Sequence, residues 1–268
     1  LFKNLDYDRT KMARSERMNL TEWLSTALLR IWNRAAVRAD KVELSRLRNQ
    51  RTRARLLRYH LNRLIHTADN RLALPMIGST AIQKPYDADW AWRPELWRGS
   101  LPAPGMAAVE NKRKMGDEVT LFHDCTVSEL TLRQLRNTRE ADLAPFGLRM
   151  DVFRFDGSFL SLAVDLPDEV IAGLGKRHLI RLETIVEMEK PLEIFARLNI
   201  RHGPNTEQLV RELPLNQKDV MVEFDLGYTR LNEKRVERAW IDLIFEGPEM
   251  NQVTIRDLTF SRRPRAEF

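Results

Sequence analysis

The sequence predicts a mainly β protein, an antiparallel jelly-roll-like β-sandwich over residues 118–268, preceded by an N-terminal α-helical hairpin over residues 20–74. Two periodicities and the punctuation between them predict it. From Glu118 onward apolar and polar residues alternate in short runs, the period-two pattern of half-buried strands. Turn signals such as Asp156-Gly157, Gly203-Pro204-Asn205 and Gly247-Pro248 separate those runs, without the strand-helix alternation that builds a parallel nucleotide-binding sheet. Between residues 20 and 68, by contrast, apolar residues recur every three or four positions, which is helical spacing.

Residues 1–19 open on Leu1 rather than Met, with Met12 and Met18 further in, and are expected to be a disordered or non-native leader. Leu20, Trp23, Leu24, Ala27, Leu28, Ile31, Trp32 and Ala35 then define one amphipathic helix, with Asn19 or Thr21 placed to cap it. A second helix is expected over residues 44–68, where Ala54, Leu57, Leu61, Leu64 and Ala68 follow Leu47 in a coiled-coil-like seam. Packed together by these faces, the two helices would leave Arg30, Arg34, Arg38, Arg46, Arg48, Arg51, Arg53, Arg55, Arg58 and Arg63 largely outside.

Residues 75–117 change character. Pro75, Gly78, Pro85, Pro94, Gly99, Pro102, Pro104, Gly105 and Gly116 punctuate them, and no periodic run of helix or strand length survives, so this segment is expected to wrap a surface. Its centre, DWAWRPELWRG over 89–99, holds three of the six tryptophans. In an extended stretch Trp90 and Trp92 point to one side, Pro94 stops a regular element, and Trp97 begins a second contact. Large rings bury much area each, so the segment is expected to anchor the wrap to the body.

The body then reads as ten strands, over 118–124, 128–136, 148–155, 158–166, 178–188, 191–201, 206–213, 219–226, 237–245 and 252–261, with one helical turn at 168–174.

Composition narrows the function. At 43% hydrophobic and 31% charged residues the chain is neither disordered nor fibrous, and the longest apolar run, residues 23–32, is interrupted by Arg30 and too short to span a bilayer. The lone Cys125 excludes an internal disulfide and points to a reducing compartment, so the expected location is cytoplasmic, at most peripheral to the inner membrane. Net charge is +6, unevenly spread: residues 1–75 carry 17 basic against 7 acidic residues, and the remainder 27 against 31. A basic arm on a mildly acidic body suits an acidic protein or an anionic membrane surface as partner. Nucleic acid is disfavoured, because the arginines are not interleaved with stacking aromatics.

No glycine-rich phosphate loop, serine elbow or histidine pair at zinc spacing is present, so neither cofactor nor metal is expected and no catalytic residue is assigned. His123 and Cys125 share one side of a strand and would permit a thiolate activated by imidazole, against the simpler role of Cys125 as a small buried hydrophobe.

The informative signal is strand parity. In 191–201 the apolar set Leu192, Ile194, Ala196, Leu198 and Ile200 leaves Glu193, Phe195, Arg197, Asn199 and Arg201 on the other face. The same rule presents Glu223 and Asp225 from 219–226, and Trp240 and Asp242 from 237–245. If these strands share a sheet, its outer face mixes carboxylates, an amide, arginines and aromatic rings, the combination that takes sugar hydroxyls and stacks on a pyranose. The plain alternative is a set of cross-strand ion pairs that keep a solvated face soluble.

The closing segment AWIDLIFEGPEMNQVTIRDLTFSRRP resembles the end of galactose-binding-like and carbohydrate-binding-module jelly rolls. That resemblance implies a sugar on the sheet or on the end loops, which adds Arg201, His202 and Asn205 as a second patch. The whole chain, through LALPMIGS, DWAWRPELWRG, EVTLFHDC and FGLRMDVFRFDGSFLSL, also resembles an uncharacterised alphaproteobacterial family known as a domain of unknown function. The leading expectation is thus a non-enzymatic intracellular binding protein whose sandwich recognises a saccharide or saccharide-bearing partner. The second is a structural or interaction protein using the basic hairpin for homo-oligomerisation or docking, and a hydrolase or transferase ranks below both.

Overall fold

A computed structural model describes residues 25–72, 82, 84–139, 142–216 and 220–265; the expected leader, Trp23 and the helix caps lie outside the described residues. The chain divides into two compact units, residues 1–61 and 62–268.

Both helices form. The first, α1, covers residues 25–37, and a short 3-10 turn at Ala39–Lys41 leads to α2, Leu44–Leu72. The expected packing of their apolar faces does not occur. Leu28 and Ile31 on α1 are 55% and 59% exposed, and Leu57, Leu61 and Leu64 on the α2 seam are 39%, 47% and 65% exposed.

The larger unit is a sandwich of two antiparallel sheets. Three short strands, β1 (Trp90–Trp92), β2 (Gly105–Ala107) and β3 (Arg113–Met115), and the helical turn α3 (Glu95–Arg98) lie in the segment expected to be without strands. They are too short to show periodicity, and neighbouring long strands supply their hydrogen bonds. The ten expected strands follow as β4 (Val119–His123), β5 (Leu130–Arg136), β6 (Phe146–Val152), β7 (Leu160–Asp165), β8 (His178–Met188), β9 (Ile194–His202), β10 (Asn205–Glu212), β11 (Val220–Asp225), β12 (Val236–Phe245) and β13 (Asn251–Pro264), with the turn α4 (Asp168–Ile171) between β7 and β8.

One sheet runs β11-β8-β13-β6-β5-β2, with β1 paired to the far end of β13, and the other runs β10-β9-β12-β7-β4-β3. Alternation sets the core: Leu121, Leu162, Leu198, Ile200, Ile241 and Leu243 from one sheet meet Leu132, Leu148, Ile180, Leu182, Phe224 and Phe260 from the other, all essentially buried. A bulge in β13 between Ile255 and Asp257 changes which side chains face inward, and Thr184 donates to the displaced Asp257 carbonyl at 2.8 Å.

The tryptophan segment closes onto this bulge. Trp90 and Trp92 stack with centroids 6.2 Å apart, and Trp92 continues onto Phe260 at 5.7 Å. Pro94 precedes α3 and directs Trp97 into the core, where it is fully buried and its indole N–H donates to the Ile255 carbonyl at 2.9 Å. Arg93 forms a two-point pair with Asp257, both distances 2.7 Å. The segment is an anchor.

Candidate saccharide-binding face

The outer face of the six-stranded sheet is built in three cross-strand rows. Register places Gln208, Asn199, Trp240 and Asp165 in the first. Val210, Arg197, Asp242, Ala163, Thr120 and Lys114 form the second, and Glu212, Phe195, Ile244, Ser161 and Phe122 the third. Six of the expected residues, Phe195, Arg197, Asn199, Arg201, Trp240 and Asp242, therefore share one face.

The strand order corrects the rest. β11 is an edge of the opposite sheet, so Glu223 and Asp225 occupy the other outer surface of the molecule. There Glu223 pairs with Arg263 at 3.2 Å and Asp225 with Arg265 at 3.4 Å. Period two shows which side of a strand a residue occupies, while strand neighbours are set by contacts distant in sequence. The second patch also separates. His202 points to the core and is 4% exposed, accepting the Asn232 N–H on Nδ1 at 3.3 Å, whereas Asn205 is exposed at the start of β10 and Arg201 pairs with Glu237 at 3.3 Å.

At the centre of the face a carboxylate is held from both sides. Arg197 donates to Asp242 Oδ2 through Nε at 3.1 Å and Nη2 at 2.8 Å, and Asn199 Nδ2 donates to the same oxygen at 2.9 Å. Gln208 Nε2 in turn donates to Asn199 Oδ1 at 3.0 Å, which orients the amide. Asn199 and Asp242 are buried, at 1% and 6% exposure, while Arg197 and Phe195 are half-buried. Among the described residues no hydrogen bond reaches Asp242 Oδ1 or leaves Arg197 Nη1. One acceptor oxygen and one donor nitrogen of this group are thus left without a hydrogen bond among the described residues.

Small side chains line the middle of the face. Thr120, Ser161 and Ala163 lie low between Asp242, Ile244 and Phe122, and among the described residues Ser161 Oγ is buried without a hydrogen-bond partner. Gln208, Thr120, Phe122, Ser161, Ala163 and Ile244 escaped sequence analysis. Ser161 and Ala163 alternate with the buried Leu160, Leu162 and Val164 along β7, and the pairing of β7 with β12 brings them to Asp242. Trp240 is not a bare platform, because Arg238 lies over its ring at 5.1 Å and is held by Asp165.

His123 accepts the Cys125 N–H on Nδ1 at 3.2 Å, and its Nε2 meets the Val109 carbonyl at 2.8 Å, so the ring is committed to backbone. Burial, followed by the nearby carboxylates of Asp156 and Asp124, pushes the Cys125 thiol up despite the Gly157 backbone hydrogen bond, which disfavours a thiolate. On the opposite sheet a cavity of about 290 Å³ is lined by Arg93, Arg181, Glu183, Met221, Asp257 and Thr259; its charges pair with one another. Among the described residues no cluster of His, Cys, Asp and Glu is placed to hold a metal ion.

Residues 12–268 match a family described as one of unknown function, DUF6478. A search of curated proteins found no match. Among solved structures the chain is similar to the enzymatically active domain of tailspike protein 4 from bacteriophage CBA120, with a TM-score of 0.39 and 10% identity. The likeness covers 61% of this chain and only 22% of that one, about a fifth of its length. A family 11 carbohydrate-binding module from Clostridium thermocellum, solved with a β-1,3-1,4-mixed-linked tetrasaccharide, gives a TM-score of 0.38 at 10% identity, over 62% of this chain and 99% of that one. The xylan-binding CBM22-1 domain from Paenibacillus barcinonensis Xyn10C gives 0.34 at 10% identity, over 61% and 94%.

Proposed function

The chain belongs to the DUF6478 family of unknown function, and we propose that it is a saccharide-binding protein whose ligand lies on the outer face of the six-stranded sheet. One observation carries the proposal: Asp242 is fixed by Arg197 and Asn199 through Oδ2 alone, and among the described residues no hydrogen bond reaches its Oδ1 or leaves Arg197 Nη1. Sugar hydroxyls suit these two groups, one donating to the carboxylate and another accepting from the guanidinium. Phe195, Ile244 and Phe122 in the neighbouring row supply apolar surface for the C–H side of the ring. Because Asp242 and Arg197 are already oriented, little ordering cost falls on binding.

Titration of the full chain with a panel of soluble oligosaccharides tests this by calorimetry. Arg197→Ala is expected to weaken binding by roughly tenfold to a hundredfold, the range for losing a hydrogen bond to a charged group. Trp240→Ala is expected to weaken it less, since Arg238 occupies one approach to that ring. Absence of binding across the panel, or equal binding by Arg197→Ala and the unsubstituted chain, rejects the assignment.

A further inference from the structure

We propose that α2 docks an acidic amphipathic helix of a partner protein, forming a two-stranded coiled coil through its exposed seam. The proposal is independent of the saccharide reading, since it uses none of the sheet residues.

Over residues 44–65 α2 carries seven arginines and no acidic residue. Written as heptads, Leu47, Ala54 and Leu61 fall at a, and Gln50, Leu57 and Leu64 at d. Leu57, Leu61 and Leu64 are exposed, and Leu47, Gln50 and Ala54 are only partly covered, so among the described residues no surface buries the seam. The flanking positions decide what fits. Arg46 and Arg53 stand at g, and Arg51 and Arg58 at e, all four exposed. A second copy of the helix would set arginine against arginine whether it ran parallel or antiparallel. A helix with glutamate at its own e and g positions would meet opposite charge at each site.

The seam chemistry also selects a helix over a lipid surface. Gln50 sits within the apolar stripe, and Ala54 offers a bilayer little area to bury. In a coiled coil a polar core residue sets register, and a small one lets the partner backbone approach. Leu56, Tyr59 and Ile65 are exposed outside the a and d positions, and the vesicle arm of the test below reads any lipid affinity they confer.

The test uses the full chain and two synthetic peptides of about four heptads, both with Leu at a and d, one with Glu and one with Lys at e and g. Fluorescence anisotropy is expected to show the Glu peptide bound at least tenfold more tightly. Reversing Arg46, Arg51, Arg53 and Arg58 to Glu together should invert that preference, and Leu57→Ser with Leu61→Ser should abolish binding to either peptide. Circular dichroism of each variant checks that the helix persists. The proposal fails if neither peptide binds, if the leucine variant binds as before, if the chain instead self-associates in sedimentation, or if it floats with phosphatidylserine vesicles while ignoring the peptides.

Discussion

At the scale of single residues, two buried groups carry consequences beyond their immediate contacts. Arg93 is 2% exposed and pairs with Asp257, itself 7% exposed, across 164 positions of sequence. Removing one partner strands a buried charge, so Arg93→Met is expected to cost about 3–5 kcal/mol in urea denaturation, while adding Asp257→Leu should restore much of the loss. An additive double variant would contradict the pairing. His178 is buried with Nδ1 accepting the Gly175 N–H at 3.0 Å, and burial, then Arg262, holds its pKa below the ordinary value despite Asp89. The unfolded chain therefore binds the extra proton first. This contribution to stability is complete above about pH 6.5, the unfolded value, and is lost as pH falls from there toward the lower native value. In His178→Gln that part of the acid-side decline should vanish; parallel urea midpoints for both proteins between neutral and mildly acid pH would rule it out. Neither role was legible beforehand, because each depends on a partner from another element.

At the scale of elements, period and punctuation were enough to locate all ten long strands within a few residues, since half-buried strands must alternate. What they could not place is the short material that borrows its hydrogen bonds. β1 exists because Trp90, Ala91 and Trp92 pair with Arg262, Ser261 and Phe260, and three residues alone show no period. Helical spacing likewise located α1 and α2 but overstated their mutual packing, since it reports an apolar face and not what covers it. The tryptophan segment was legible in role because aromatic area is costly to leave in water. Its exact partner was not, for the Ile255 carbonyl becomes available only where the β13 bulge interrupts the ladder. Trp97→Phe should therefore lower stability by about 1–3 kcal/mol, chiefly by orphaning that buried carbonyl. The check is the denaturation midpoint, and a variant as stable as the parent would mean that the hydrogen bond contributes nothing net.

At the scale of the whole molecule, the sandwich gives two outer faces with opposite dispositions of charge chemistry. On the seven-stranded side Glu223 and Asp225 meet Arg263 and Arg265 from the last residues of the chain, and Arg93 meets Asp257. Those pairs seal a strand edge and a wrapped segment. On the six-stranded side the pair of Arg197 and Asp242 seals nothing and leaves a donor and an acceptor unspent. Parity in the sequence found residues for both faces and merged them, because which strands become neighbours is decided by long-range packing. The separation makes a control that a diffuse electrostatic attraction would not pass. Glu223→Gln and Asp225→Asn remove acidic charge from the molecule as Asp242→Asn does, yet stand across sheets packed roughly 10 Å apart. If the ligand is held where Asp242 is, those two substitutions should leave oligosaccharide affinity within about twofold, while Asp242→Asn lowers it by tenfold or more in the same titration. Equal losses from all three would trace binding to net charge and remove the six-stranded face from consideration.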